Sequence, residues 1–297
     1  MNLTILSLGV DFAPPSAGPP MIFRISAAKK LTLFALAKRV RTVLAVPVLS
    51  SRLKAGLHRD TRNARSSLAK IDTRSRNCQI HSNGFNFINR SFRNSLVLIP
   101  GWATDERIFS QFDLKYNYLI SGKVDPLEFS KVLRDYLDAN SIAKVSLFGY
   151  SMGGFMAKEF ALSNPDRVEE VFLISVRKKY PNQQLKEIEG QLKKNKRGFL
   201  YKFYLDCFSD SDKEGKDWFK KNLLKDYVKS MGLEDLLRGL DYLGKVEISA
   251  NELSQIKNLK MFHGRLDKIA PVEEAEELAG GKLDIINDAG HILFSFL

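Results

Sequence analysis

The class of fold is indicated most clearly by one stretch, Gly149-Tyr150-Ser151-Met152-Gly153-Gly154. It follows an apolar run, Lys144 to Phe148, and precedes a helix-like run, Phe155 to Leu162. This order predicts a strand, a sharp turn and a helix, and a G-x-S-x-G turn in that setting is typical of a nucleophile elbow. The Ser151 hydroxyl would then project from the C-terminal edge of a sheet. The N-terminus of the following helix would face it and favour developing negative charge.

Strands and helices alternate on both sides of this turn. Short apolar runs bounded by turn residues predict further strands at Leu96 to Ile99, Tyr116 to Ile120, Val168 to Ser175, Leu259 to Phe262 and Leu283 to Ile286. Helical patterns lie between them at Asp105 to Phe112, Asp125 to Leu137 and Pro271 to Leu278. We therefore predict the α/β class, with a mostly parallel sheet flanked by helices. The stretch from about 180 to 256 has no strand pattern and predicts a helical lid inserted between strands.

The basic charge of the chain lies in its N-terminal third. The 297 residues carry a formal net charge of +12, but residues 1–90 hold 15 Lys and Arg against 3 Asp and Glu. Residues 91–297 hold 31 of each, so the basic balance says nothing about their ligand. We predict a basic, disordered extension over 1–90 and an α/β domain over 91–297. The alternatives for the extension are organellar targeting and an arm that binds nucleic acid or a membrane.

The composition excludes several classes of protein. Two cysteines do not make a disulfide scaffold, and none of the four histidines forms a ligand-spaced pair, so we expect no metal and no cofactor. Charges between residues 38 and 41 interrupt the most apolar region, so we expect no integral membrane span. We also expect no nucleic-acid partner for the globular part. The expected location is cytoplasmic, with organellar targeting by residues 1–90 as the alternative.

A serine hydroxyl becomes a good nucleophile only when a base accepts its proton. His291 follows the last predicted strand, so its loop lies at the sheet edge where Ser151 lies. Asp267 follows the preceding strand directly and belongs to the same layer of loops. We predict His291 as the base and Asp267 as the carboxylate that orients it. His263, which closes a strand, and Asp288, three residues before His291, are the weaker alternatives.

An oxyanion hole needs two backbone donors beside the nucleophile. The residue after the serine, Met152, would supply one N–H. The loop Pro100-Gly101-Trp102 follows the strand that enters the site, and Trp102 would supply the other. The Trp102 ring would then form a wall of the acyl site, and plain core packing is the alternative role for it.

These residues together resemble the α/β-hydrolase superfamily across residues 95–291. Within it, five motifs are most similar to the pimeloyl-[acyl-carrier protein] methyl ester esterase (BioH) family of biotin synthesis. They are Pro-Gly-Trp-Ala at 100–103, Gly-Tyr-Ser-Met-Gly-Gly at 149–154, Asn-Pro-Asp-Arg-Val at 164–168, His-Gly-Arg-Leu-Asp at 263–267 and Gly-His at 290–291. The resemblance implies a serine carboxylesterase that acts on a pimeloyl methyl ester carried by acyl carrier protein.

The resemblance also implies roles for individual residues. The triad would be Ser151, Asp267 and His291, with Trp102 and Met152 as the oxyanion and substrate-binding residues. The lid segment that contacts substrate would be Phe203, Tyr204, Leu205, Asp206 and Cys207. Residues 176–225 carry 14 Lys and Arg against 7 Asp and Glu, which suits an acidic carrier protein. The implied carrier-protein rim is Arg197, Lys202, Lys216 and Lys220.

Three departures from the family pattern bear on the site. Pro100 stands where the family has histidine, and the loop over residues 121–125 is shorter than in relatives. Only six residues follow His291, so the helix that normally follows is missing and His291 is expected to be less firmly held. The competing functions are thioesterase, lactonase or haloperoxidase-like activity, and a non-catalytic hydrolase fold that binds a ligand.

Overall fold

A computed structural model describes residues 84–297, so the predicted extension lies outside the described residues as far as residue 83. One seven-stranded sheet runs through this part of the chain in the order β1-β3-β2-β4-β5-β6-β7. Its strands are β1 Phe85–Ile88, β2 Ser95–Ile99, β3 Asn117–Ser121, β4 Val145–Tyr150, β5 Val168–Ile174, β6 Leu259–Gly264 and β7 Leu283–Ile286. All neighbouring pairs are parallel except β1 and β3. The predicted mostly parallel sheet is confirmed.

Strand β1 lies within the range that the sequence analysis assigned to the extension. It pairs antiparallel with β3, and Phe85 faces Ser121 across the ladder. The buried Phe85 ring packs against Phe129 and Tyr136, with ring centroids 5.8 and 5.4 Å away. The sequence pattern does not reveal this strand, because it is only four residues long and Asn86 interrupts its apolar residues. The sheet therefore begins before residue 91.

Helices pack against the sheet and lie over its C-terminal edge. Those against the sheet are α1 Phe129–Ala139, α2 Met152–Ser163 and α8 Val272–Ala279. The lid contains α3 Asn182–Asp206, α4 Lys213–Phe219, α5 Lys225–Ser230, α6 Leu233–Lys245 and α7 Ala250–Ser254, with a π-helical turn at Lys220–Leu224. The helix predicted from Asp105 is a single 3-10 turn, Glu106–Phe109. No helix within residues 84–297 is long and apolar enough to cross a bilayer.

The central strand β4 is buried along its whole length, which explains its continuous apolar pattern. Phe148 of this strand packs edge-on against Phe109 and Phe112, with ring centroids 5.9 and 5.1 Å away. Phe294, near the end of the chain, completes this cluster and lies 4.9 Å from the ring of Tyr150. Each such ring stabilises the fold by about 1.5–3 kcal/mol through burial. The cluster anchors the end of the chain beneath the elbow.

The lid is attached to the loop after β2 and is bent over the sheet edge. The Trp102 indole N–H donates to the carbonyl of Leu236 in α6 at 2.9 Å. A Cβ atom on Gly239 would lie 2.5 Å from Trp102 Cδ1, so only glycine lets α6 approach so closely. Helix α3 is interrupted at Asn195, where φ is −155° and ψ is 78°. The Asn195 side chain accepts from the Gly198 N–H at 3.0 Å and begins the second half of the helix.

Candidate active site

Ser151 sits on the predicted sharp turn between β4 and α2. Its backbone has φ 51° and ψ −115°, a conformation that costs a non-glycine residue about 1–3 kcal/mol. Two backbone hydrogen bonds keep Ser151 in this conformation. Its N–H donates to the carbonyl of Ile174 at 2.8 Å, and its carbonyl accepts from the Gly154 N–H at 2.9 Å. The turn thus presents the serine side chain at the C-terminal edge of the sheet.

Close backbone approach explains the glycines around the serine. A Cβ atom on Gly149 would lie 2.5 Å from the carbonyl oxygen of Gly153. A Cβ atom on Gly153 would lie 2.3 Å from the carbonyl oxygen of Ile99, at the end of β2. These contacts are far below any normal separation, so the G-x-S-x-G pattern is a steric requirement of this turn.

The structure brings together the three residues predicted to act as a unit. His291 Nε2 lies 2.9 Å from Ser151 Oγ, and His291 Nδ1 lies 2.7 Å from Asp267 Oδ2. All three side chains are buried, with 0% of the Asp267 side chain exposed. Their chain positions follow β4, β6 and β7, so three distant segments meet at one edge of the sheet. In this arrangement the imidazole can accept a proton from the hydroxyl on one side and donate to the carboxylate on the other.

Asp267 is held by four donors. Its Oδ1 accepts from the N–H groups of Ile269 and Ala270 at 2.8 and 2.9 Å, while Oδ2 faces two histidines. Burial alone would raise the pKa of this carboxyl, but its contacts with His291 and His263 outweigh burial and hold the pKa well below its usual range. Asp267 therefore stays ionised and can stabilise an imidazolium on His291.

His291 is firmly placed although only six residues follow it. Its carbonyl accepts from the Ser175 hydroxyl at 2.8 Å, and the next N–H, from Ile292, donates to Cys207 at 3.0 Å. Further on, Ser295 Oγ donates to Asp212 Oδ2 at 2.9 Å. Together with the packing of Phe294, these contacts fix the segment that carries His291 against the sheet and the lid. They run against the expectation that His291 is less firmly held.

The two predicted oxyanion donors flank Ser151. A Cβ atom on Gly101 would lie 3.0 Å from the Ser151 Cβ, so the loop that carries Trp102 runs directly beside the serine. Within residues 84–297, the backbone N–H groups of Trp102 and Met152 have no protein acceptor, so both are free to donate to a substrate oxygen. The Trp102 ring meets Phe203 edge-on at 5.1 Å, so it serves both as cavity wall and as core.

A cavity of about 440 Å³ opens at Ser151 and His291, between the sheet edge and the lid. This volume suits a small organic substrate. Four of the five lid residues predicted to contact substrate line it, namely Phe203, Tyr204, Asp206 and Cys207, whereas Leu205 does not. Of the predicted rim residues, Lys202 lines the cavity and Arg197, Lys216 and Lys220 lie outside its wall.

The sequence did not point to Tyr180 as a site residue, and it offered His263 only as an alternative base. Tyr180 lies beyond the C-terminal end of β5 and lines the cavity with Ser151; burial raises its pKa to about 12, so its hydroxyl stays protonated at neutral pH. His263, considered only as a weak alternative base, instead faces Asp267. Its Nε2 lies 2.8 Å from the carbonyl of Ala270 and 3.2 Å from Asp267 Oδ2. Because both neighbours are acceptors, Nε2 carries the proton, and the buried Nδ1 has no partner within residues 84–297.

Comparisons with known proteins agree with this fold. A family model described as alpha/beta hydrolase fold matches residues 121–215. The 2-hydroxy-6-oxononadienedioate/2-hydroxy-6-oxononatrienedioate hydrolase 1 of Dechloromonas aromatica (strain RCB) is 26% identical over 221 residues, which cover 67% of this chain and 70% of that protein. A hydrolase named for the same compounds in Escherichia coli O139:H28 (strain E24377A / ETEC) is 26% identical over 69% of this chain and 72% of its own length.

Solved structures share the fold at lower identity. An esterase from Exiguobacterium antarcticum superposes with a TM-score of 0.59 at 17% identity, covering 70% of this chain and 88% of that one. A bromoperoxidase from Bacillus anthracis gives 0.59 at 16% identity, with 71% and 90% covered. Together with the sheet order, the strained serine turn and the inserted lid, these matches show that the chain has the alpha/beta hydrolase fold.

Proposed function

We propose that the protein is a serine carboxylesterase with Ser151 as nucleophile, His291 as general base and Asp267 as the group that orients the base. The observation that carries the proposal is the position of His291. Its two ring nitrogens lie 2.9 Å from the Ser151 hydroxyl and 2.7 Å from the Asp267 carboxylate, at the wall of a substrate-sized cavity.

In the proposed reaction, Ser151 Oγ attacks the ester carbonyl carbon while its proton moves to His291 Nε2. The carbonyl oxygen becomes an oxyanion, which the N–H groups of Trp102 and Met152 stabilise. The C–O bond to the alcohol then breaks, and the alcohol leaves with the proton from His291. Water next attacks the acyl-enzyme and gives His291 a proton. Collapse of the second intermediate releases the acid and returns the proton to Ser151.

Labelling with a serine-directed fluorophosphonate tests this proposal. The folded wild-type protein should be labelled and should hydrolyse p-nitrophenyl esters, and Ser151→Ala should do neither. Ser211→Ala, at an exposed serine on the lid, is the matched control and should behave as wild type. Absence of labelling in folded wild-type protein would contradict the proposal and favour a non-catalytic protein that binds a ligand.

Within this class, the proposed substrate is a pimeloyl methyl ester carried by acyl carrier protein. The motif resemblance and the excess of basic residues over 176–225 support it, and Lys202 is the rim residue at the cavity mouth. Expression in a biotin-requiring strain that lacks its own esterase should restore growth, and Ser151→Ala should not. Failure to restore growth by a labelled, active protein would reject this substrate and leave the esterase intact.

His263, the second histidine in contact with Asp267, is expected to affect turnover without touching substrate. We expect His263→Phe to lower kcat about tenfold with little change in KM, because Oδ2 loses one of its two histidine donors and His291 is less tightly oriented. His263→Gln keeps a side-chain N–H and should recover most of the activity. Steady-state kinetics of both variants test this, and a fully active His263→Phe variant would show that the other donors suffice.

Acid should destabilise the protein through Asp267. The pKa of this carboxyl is lower in the folded chain than its unfolded value of about 3.9. Its stabilising contribution is therefore complete above that value and is lost as pH falls toward the folded pKa, because the unfolded chain binds the proton first. Urea unfolding from pH 6 to 3 should show a steeper loss of stability for wild type than for Asp267→Asn. Equal slopes would contradict the prediction.

A further inference from the structure

Two kinds of side chain line the cavity beside Ser151. The buried part of the wall is apolar and largely aromatic, with Trp102, Tyr204, Leu240 and Ile292 among its residues. The exposed part of the wall is polar and consists of the three lysines Lys194, Lys202 and Lys268 together with Gln191 and Asn195. Any substrate that fills the cavity therefore has one end in an apolar interior and another against this exposed part, which we call the lysine mouth.

The lysines of the mouth come from two separate elements. Lys194 and Lys202 lie on α3, on either side of the interruption at Asn195, and Lys268 lies in the loop directly after Asp267. The bend in α3 thus lets both halves of one helix contribute a cation to the same opening. Asp206 is the one carboxylate among the residues that line this cavity. The charged side chains of the wall are therefore three cations and one anion.

None of the three lysines has an ion-pair partner within residues 84–297. The immediate neighbour of Lys194 behaves differently: Lys193 does not line the cavity, and its ammonium lies 2.5 Å from Glu189. The cavity wall thus keeps a net positive charge, because three lysines face a single carboxylate, Asp206. Cations beside an apolar, partly enclosed volume attract an anion more strongly than the same cations on an open surface.

We propose that the substrate carries an anionic group, a carboxylate at the end of a short acyl chain, remote from the ester bond and bound by Lys194, Lys202 and Lys268. This inference rests on the proposed esterase function and names an acyl class that differs from the pimeloyl carrier ester, because the end of that chain remote from the methyl ester is joined to the carrier and has no free carboxylate. The apolar interior holds the methylene part of the chain, and the lysine mouth holds its charged end. A phosphate on the chain would present the same charge, so it forms a separate arm of the test.

Matched p-nitrophenyl esters test the inference because they share one leaving group. Six-carbon acyl chains ending in a methyl group, a carboxylate or a phosphate are compared by kcat/KM at low and high salt. We expect the carboxylate-ended ester to be cleaved about tenfold better than the methyl-ended one at low salt, with the ratio falling as salt screens the lysines. A phosphate-ended ester that outperforms both would assign the lysine mouth to a phosphate-bearing chain. Equal cleavage of all three, or preference for the methyl-ended ester, would overturn the inference.

Lysine variants test which side chains cause the preference for the carboxylate-ended ester. Lys194→Gln and Lys202→Gln should each reduce the carboxylate-to-methyl ratio about two- to fivefold, as expected for a partly exposed charge pair. Lys193→Gln is the matched control on the same helix and should leave the ratio at its wild-type value. A ratio that is unchanged in all three variants would place the preference elsewhere and contradict the inference.

Binding separates this inference from the esterase proposal. Calorimetric titration of Ser151→Ala with the carboxylate-ended and methyl-ended esters needs no turnover. Tighter binding of the carboxylate-ended ester, lost in the Ser151→Ala/Lys202→Gln double variant, would support the lysine mouth even if wild type hydrolysed neither ester. Equal binding would reject the inference even if wild type hydrolysed both.

Discussion

Asp267→Asn is expected to lower kcat for ester hydrolysis by about 10⁴-fold with little change in KM. The carboxylate oxygens accept from four N–H groups, two on each oxygen, so an amide nitrogen at either position would meet donors. If the amide nitrogen faces His291, that ring must turn its Nδ1 into an acceptor. Its proton then moves to Nε2, which can no longer accept from Ser151.

Asp288→Asn is the matched control for this variant. Asp288 is the other acidic residue near His291, only three positions before it, but its side chain is exposed and lies outside the cavity wall. We expect its loss to leave kcat unchanged. Comparable steady-state activity of Asp267→Asn and wild type, or a large loss in Asp288→Asn, would contradict the assignment of the orienting carboxylate.

Gly153→Ala is expected to damage both the stability of the fold and the activity. The added Cβ would lie 2.3 Å from the carbonyl oxygen of Ile99 and 2.7 Å from that of Pro100. Both atoms belong to the backbone, so relief requires movement of the end of β2 and of the loop that carries Trp102. We expect a loss of about 2–3 kcal/mol in the free energy of unfolding and a drop of about 10²-fold in kcat/KM.

Gly190→Ala is the control for the effect of glycine itself. This residue lies in helix α3, and nothing comes within 4 Å of an added Cβ. Alanine there should stabilise the protein by about 0.8–1 kcal/mol, because it favours the helix more than glycine does. Urea unfolding and ester kinetics of both variants test the pair. Normal stability and activity in Gly153→Ala would show that the elbow can open without cost.

Local sequence patterns were enough to predict strands β2 to β7 and the serine turn. Buried parallel strands read as continuous apolar runs, and the glycines of the elbow mark its close backbone contacts. The positions of Ser151, Asp267 and His291 also followed from chain order, because loops after parallel strands meet at one edge of the sheet. Strand β1 did not follow, because it lies at the edge of the sheet and its four residues pair with residues of β3 that are 30 or more positions later.

The α/β architecture and the three side chains at its C-terminal edge are therefore encoded locally, since both depend on patterns within single elements and on their order. The surroundings of those side chains depend on how the chain packs in three dimensions. His263 meets Asp267 through the fold of one loop, and the segment after His291 is held by contacts with Ser175 and Cys207. After the interruption of α3 at Asn195, Lys202 lines the cavity, whereas Arg197 does not. The contacts with Ser175 and Cys207 join residues that are far apart in sequence. Those of His263 and Lys202 are closer in sequence but depend on how a loop and a bent helix pack, which no hydrophobic periodicity encodes.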